Sequence, residues 1–247
     1  NQAIGLGVLD DQMAAIRDLN RNLEFRKAIK HAIDGKAFAK AMSKGPFVTV
    51  YAGGLARDSA FFDADATSFF PYNPAGANSI LDGLGLMDTD GNGVRNLPNG
   101  GGDLVINLVQ NKGSDNEMLI GDGMATMMAE VGIKINIKPM EDTEPTRQAG
   151  EWDWLLVRSQ QEMAFPNSGY WSDMGPVTTS SFDPHLGTDE HPQQLQPFEK
   201  EIVSILEEWR DGVEGAEAQA LMSRYQKLFT ENVYMPGIVQ YPTALLI

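Results

Sequence analysis

The sequence predicts an α/β fold, a parallel or mixed sheet flanked by helices. Three observations carry this. Between Leu104 and Lys138 a strand, a helix and a second strand follow one another, which is the βαβ unit from which parallel sheets are built. The second strand alternates strictly, with Ile133, Ile135 and Ile137 on one face and Lys134, Asn136 and Lys138 on the other. Clean helical stripes stand elsewhere, at Phe25, Ala28, Ile29, Ala32 and Ile33 and at Phe198, Ile202, Ile205, Leu206 and Trp209.

Taken in order, Asn1 to Asp18 carries few strong signals, and Leu6, Val8 and Leu9 suggest a short strand or linker. Asn20 or Asn22 caps the first striped helix. Asp34 and Gly35 interrupt that helix, Lys36 to Lys44 restarts it, and Gly45-Pro46 ends it. Phe47 to Tyr51 is β-prone, Gly53-Gly54 is a turn, and Arg57 to Phe70 reads as a loop rich in aromatics and Asp. Asn73-Pro74 opens a helix with Ile80, Leu81 and Leu84 on its apolar face, closed by Gly85. Asp88-Thr89-Asp90-Gly91-Asn92-Gly93 is a turn. The strand Leu104 to Gln110, the helix Asp115 to Val131 and the strand Ile133 to Lys138 form the central unit. Glu141 to Gly150 predicts a short helix, and Trp154 to Val157, a continuous apolar run, a buried strand. Gln160 to Pro197 is loop-like, with Pro166, Pro176, Pro184, Pro192 and Pro197. A second late helix carries Leu221, Tyr225, Leu228 and Phe229. Gly237 to Ile247 reads as a terminal strand. No internal repeat or low-complexity tract occurs.

The 247 residues suffice for one large domain or two small ones, and 42% hydrophobic residues can bury a core. No apolar run approaches membrane-span length, which predicts a soluble chain. The formal net charge of -15 speaks against nucleic acid and anionic membrane surfaces, which draw Lys and Arg. With no cysteine there are no disulfides, thiolate metal sites or cysteine nucleophiles. The chain begins on Asn1 and stops on Leu245-Leu246-Ile247, and the expectation is a segment of a longer protein.

Three segments carry a family resemblance. YNPAGANSILDGLGLMDTDGNGVRNLPNGGGDLVINLV, from Tyr72, is similar to the pattern Y-[DN]-P, then G-[LW]-x-D-x-[DN]-G-[DN]-G-x-R, then P-[DN]-G, found in the C-terminal lobe of extracellular solute-binding proteins of family 5. FRKAIKHAIDGKAF, from Phe25, resembles that family's Ala- and Asp-bearing helix. MATMMAEVGIKINIKPM, from Met124, resembles its helix and strand joined by Gly-Ile. The family comprises peptide, oligopeptide, nickel and oligosaccharide receptors of ABC importers. The resemblance implies one lobe of a type II periplasmic-binding-protein fold. Residues 1–20 would join a missing N-terminal lobe, 21–236 would be the C-terminal ligand-binding lobe, and 237–247 would be a strand returning toward the other lobe. It further implies bacterial export to the periplasm or the extracellular membrane face, and an ABC permease as partner.

Candidate ligand contacts follow. Peptide-binding members carry an acidic residue four before a Pro, which pairs with the ligand's α-ammonium. Here Glu162 stands four before Pro166, although Gln160-Gln161 and Met163 replace the pattern's Trp and Tyr. Glu162 is thus read as a charge-assisted anchor or as an exposed loop carboxylate. Phe165, Tyr170, Trp171 and Trp152 supply rings suited to a cleft wall, Trp171 first among them. Gln110, Asn111 and Lys112 sit at the C-terminal end of a strand, where ligands gather in open α/β sheets, and Lys112 could pair with a ligand carboxylate.

Metal readings are weaker. Asp88, Asp90, Asn92 and Gly93 match the first half of a calcium loop, but its twelfth position is Asn99 rather than Glu. The same residues make an Asx-rich turn. His31 is expected half-exposed on its helix. His185 and His191, near Asp183, Asp189 and Glu190, lack tight metal-ligand spacing. No G-x-S-x-G, P-loop or dinucleotide fingerprint occurs.

The expectation is therefore a binding protein without enzymatic activity, cofactor or metal, which captures a solute for uptake. A peptide is the first choice of ligand and an oligosaccharide the second. From another class, Glu162 and Asp173 could form the carboxylate pair of a glycoside hydrolase.

Overall fold

The computed structural model describes residues 2–3, 5–43, 47–158, 174–177 and 188–240. Two compact units emerge. One comprises Asn1–Asp34, Pro71–Arg158 and Ser181–Gln194, the other Gly35–Phe70, Ser159–Ser180 and Leu195–Ile247.

The first unit contains helices α1 (Asp11–Arg21), α2 (Leu23–Ala32), α4 (Pro74–Gly83), α5 (Asp115–Glu130) and α6 (Glu144–Ala149), and strands β2 (Val105–Asn111), β3 (Lys134–Met140) and β4 (Trp154–Leu155). The sheet order is β3-β2-β4. Both pairings are parallel, running from Val105↔Lys134 to Asn111↔Met140 on one side and through Leu108↔Trp154 and Val109↔Leu155 on the other. The predicted βαβ unit is thus present, with β2 central. Helix α5 crosses over and buries Gly121, Met124 and Met128. β3, at the edge of the sheet among the described residues, keeps Lys134, Asn136 and Lys138 exposed, while Ile135 and Ile137 are half-buried. Polar edge residues of this kind discourage pairing with a further strand.

Local chemistry sets the helix ends. Asn22 caps α2 by accepting from the Glu24 and Phe25 amides, and Phe25, Ala28, Ile29 and Ala32 are buried, as the stripe predicted. Asn73 caps α4, accepting from the Gly76 amide at 3.0 Å, with Pro74 in the first turn. The Arg of the family pattern, Arg95, ties three places together. Its guanidinium donates to Asp82 Oδ1 (2.6 Å), Asn78 Oδ1 (2.7 Å), the Leu86 carbonyl and the Val131 carbonyl (2.7 Å). It thereby joins α4 to the C-terminal end of α5.

Two expectations are corrected in this unit. The weakly patterned N-terminal stretch contains α1, capped by Asp10, whose side chain accepts from the Met13 amide at 2.7 Å. Its buried stripe is Met13, Ile16, Arg17 and Asn20. Two polar members hide the periodicity from a hydrophobicity reading. The run Trp154 to Val157 is a short, half-buried strand rather than a fully buried one, and Val157 is 51% exposed. Among the described residues β4 pairs with β2 alone, over two residues.

The second unit contains α3 (Gly35–Met42), β1 (Thr49–Val50), α7 (Pro197–Arg210), α8 (Gly215–Glu231) and β5 (Val239–Gln240), with β1 and β5 antiparallel. Its core gathers Leu55, Ile202, Ile205, Leu206, Tyr225 and Phe229. Phe229 packs at 5.5 Å from Tyr225 and 5.3 Å from Tyr234. Gln226 is buried among them, its Oε1 accepting from the Leu55 amide at 2.5 Å and its Nε2 donating to the Gly53 carbonyl at 3.2 Å. Pro197, read as the end of a loop, instead opens α7 at a position where a missing N–H costs nothing.

Candidate ligand-binding site

Because the three strands of the first unit are parallel, their carboxyl ends lie along one edge. From β2 the chain crosses to β3 on one side, while β4 lies on the other. The carboxyl ends of parallel strands are where open α/β sheets gather ligands. The candidate edge here carries Asn111 and Lys112 at the end of β2 and Leu156 to Arg158 after β4.

Asn111 and Lys112 reach this edge, as expected. The Asn111 amide donates to Glu117 Oε2 at 2.8 Å, and its side-chain oxygen accepts from the Gly113 amide at 2.8 Å, forming an Asx turn. Lys112 Nζ lies 2.7 Å from Glu141 Oε1, with half of its side chain exposed. A ligand carboxylate would have to displace Glu141, though an exposed pair of this kind holds only about 0–1 kcal/mol.

Gln110 does not reach the edge. It is 0% exposed, and its side chain points under α5, with Nε2 at 2.8 Å from Met118 Sδ. Its Oε1 finds no hydrogen-bond partner among the described residues. The alternation of the strand puts Gln110 on the same face as Ile106 and Leu108, which is the helix-covered one. Gly121 makes room for it, since a Cβ at that position would stand 1.7 Å from Gln110 Oε1. In an open helix interior, alanine would be more stable than glycine by roughly 1 kcal/mol. Here Gly121→Ala should instead destabilise by about 1–3 kcal/mol through overpacking. Urea unfolding of the two proteins checks this, and a gain in stability would contradict the placement of Gln110.

A buried polar cluster holds the approach to β4. Asp153, 1% exposed, accepts through Oδ2 from the Asn107 amide at 2.8 Å and from Asn107 Nδ2 at 3.0 Å. Arg17, also 1% exposed, donates to the Gly150 carbonyl at 2.5 Å and the Trp152 carbonyl at 3.3 Å, and to the Ala3 and Leu6 carbonyls at 2.9 and 3.1 Å. Asn20 accepts from the Trp154 indole N–H at 2.9 Å and donates to the Asp153 carbonyl at 3.5 Å. Burial pushes the Asp153 carboxyl above the usual range, opposed by its Asn107 hydrogen bonds and by Arg17. Burial likewise lowers Arg17 to about 10, opposed by Asp153, so it stays charged at neutral pH. These residues escaped the sequence reading. The available signal was a carboxylate between two tryptophans, Trp152 and Trp154, and an arginine beside Ile16 in a helical stripe.

The remaining candidates divide cleanly. Trp152 is half-buried and donates to the Arg147 carbonyl at 3.2 Å. Glu162, Phe165, Tyr170, Trp171, Asp173, Asp183 and His185 lie outside the described residues. His31 is half-buried, its Nδ1 2.8 Å from the Pro71 carbonyl. His191, Asp189 and Glu190 are exposed. The Asp88 turn spends its oxygens internally. Asp88 accepts from the Gly91, Asn92 and Gly93 amides, and Asn92 Nδ2 donates to Asp103. The Gly93 amide contributes most to holding the Asp88 carboxyl below its usual range. A depression of about 300 Å³ beside this turn is lined in part by Met87, Thr89, Asn96 and Leu97, with no charged side chain. Asn96 there is already engaged by Thr89 and Asp103.

Comparison with known proteins decides the family. Residues 8–181 match the model for bacterial extracellular solute-binding proteins, family 5, middle region. The chain belongs to this family. The periplasmic alpha-galactoside-binding protein of Rhizobium meliloti (strain 1021), a relative, is 34% identical over 98% of the chain, which spans 36% of that protein. The periplasmic binding protein MelB from Agrobacterium fabrum C58, solved in complex with stachyose, is 33% identical with a TM-score of 0.87, over 96% of this chain and 36% of that one. The oligopeptide-binding protein OppA has a TM-score of 0.76 at 17% identity, over 96% of this chain and 40% of that one, and is alike in fold alone. The chain thus carries part of a type II periplasmic-binding-protein fold and spans little more than a third of its relatives. All three are named as binding proteins. Among the described residues, no helix of this family member is long and apolar enough to cross a membrane.

Proposed function

We propose that this chain is a ligand-contacting lobe of an extracytoplasmic receptor that captures an oligosaccharide of the α-galactoside class and delivers it to an ABC importer. The observation that carries this is the 34% identity, sustained over 98% of the chain, to a protein named for binding α-galactosides. The stachyose-bound relative stands at nearly the same identity, whereas OppA stands at half of it. The chemistry agrees. The peptide reading leaned on Glu162 without the aromatic neighbours of the peptide pattern, whereas Phe165, Tyr170 and Trp171 supply flat rings suited to stacking on sugars, Tyr170 and Trp171 with a polar tip as well. Binding involves no bond making. A second lobe closes on the ligand, and closure is favoured by whatever affinity the closed form gains over the open one.

The test is calorimetric titration of the full-length mature protein with stachyose and, separately, with tetra-alanine. The expected result is saturable heat from stachyose and none from the peptide. Heat from the peptide alone would overturn the sugar reading and return Glu162 to the role of ammonium anchor.

A further inference from the structure

We infer that Asp153 is a positioning residue, which together with Arg17, Asn20 and Asn107 fixes the short strand β4 beside β2 and so sets where the chain from Leu156 to Arg158 stands at the carboxyl edge of the sheet. That this edge faces a ligand rests on the proposed function; the bonds that fix β4 do not.

β4 meets β2 over two residue pairs, Leu108↔Trp154 and Val109↔Leu155, followed by one further bond from the Leu156 amide to the Val109 carbonyl at 3.0 Å. Strands commonly run to about five or six residues, and a backbone hydrogen bond contributes only about 1 kcal/mol net. So short a ladder does not hold itself in register. The side chain of Asp153 extends it. The Asn107 amide would donate to a carbonyl of the neighbouring strand in a continued ladder, and the Asp153 carboxylate takes that place at 2.8 Å. Asn107 Nδ2 adds a second bond to the same oxygen at 3.0 Å. On the far side α1 grips the same few residues, through Arg17 at the Gly150 and Trp152 carbonyls and Asn20 at the Trp154 indole.

A slip of β4 by one residue would break these bonds together and turn its side chains to the opposite face. The clamp therefore specifies one register. Two residues beyond it the chain emerges at Leu156 to Arg158, opposite Asn111 and Lys112. None of the clamp residues belongs to that rim. They act on a ligand by pre-ordering that edge, which lowers the ordering cost of binding.

The test uses the full-length protein and the variants Asp153→Asn and Trp154→Phe. Asp153→Asn keeps the shape but replaces the charged acceptor of both Asn107 bonds, which also faces Arg17, by a neutral carboxamide, and Trp154→Phe removes the indole bond to Asn20. Phe229→Leu, in the core of the other unit, controls for lost stability. Stachyose affinity is measured by titration per folded molecule, with unfolding midpoints alongside. Asp153→Asn is expected to weaken binding about tenfold or more and Trp154→Phe a few-fold, while Phe229→Leu lowers the midpoint and leaves affinity unchanged. Wild-type binding with unchanged affinity in Asp153→Asn would overturn the inference. Should Asp153→Asn not fold, Trp154→Phe decides in the same way. If the wild type binds no stachyose, the proposed function fails, and hydrogen exchange over 154–158 decides the clamp separately. Faster exchange in the variants supports it, and unchanged protection overturns it.

Discussion

Replacing Arg17 by methionine should lower the unfolding free energy by about 3–5 kcal/mol, the range for stranding one side of a buried charged network. Two effects compete. Burial disfavours the guanidinium, whose pKa falls to about 10, so removing the charge relieves a real desolvation cost. Against this stand the Ala3, Leu6, Gly150 and Trp152 carbonyls, which each receive a hydrogen bond from Arg17. An unsatisfied buried acceptor costs about 1–3 kcal/mol, so even two stranded carbonyls outweigh the relief. Asp153 would also lose its opposite charge and become easier still to protonate. Arg17→Lys should recover only part of the loss, because a compact ammonium cannot reach both pairs of carbonyls as the planar fork does. Urea unfolding followed by tryptophan fluorescence reads this directly. A methionine variant as stable as wild type would show that the network contributes no net stability.

Phe229→Ala should cost a comparable ~3–5 kcal/mol, by a different mechanism. Its ring is 1% exposed and meets Tyr225 and Tyr234 at centroid separations of 5.5 and 5.3 Å. Gly53 also backs onto it, since a Cβ there would lie 3.1 Å from the ring. The cavity has little freedom to collapse, because Tyr225 is anchored by its hydroxyl donating to the Met174 carbonyl at 2.9 Å. Leu228→Ala, one position along and half-buried, should lose clearly less. Equal losses from the two would contradict the assigned face of α8.

The sites that matter for these variants differ in how legible they were. Phe229 was readable, because Leu221, Tyr225, Leu228 and Phe229 recur at helical spacing and a stripe of that width must be buried. Asn22 and Asn73 were readable as caps, since the bond from an Asx side chain to an amide two or three residues on is a local event. The Asp88 turn was also local, and its three aspartate-accepted amides lie within five residues. Gln110 departs from its expectation: the end of a strand suggests a ligand-facing residue, but β alternation places it under α5, and the near contact with Gly121 joins residues whose proximity depends on how the helix packs. Arg17 and Asp153 carried no usable signal in a hydrophobicity pattern, because each is a charged residue whose burial is made tolerable only by partners far away in the chain.

By itself the sequence determined the βαβ unit, the caps and turns, the late helices and, through three motifs, the family. All of these rest on neighbours within a few residues or on a periodicity of 2 or 3.6. Only the tertiary structure decided that α1 exists and grips the residues around β4, that Gln110 is interior, and that the chain after β4 emerges beside the carboxyl end of β2. Arg17 and Gly150 stand 133 positions apart. A hydrogen bond between them exists only because the chain has already been brought back on itself, and nothing in the residues near either one records it.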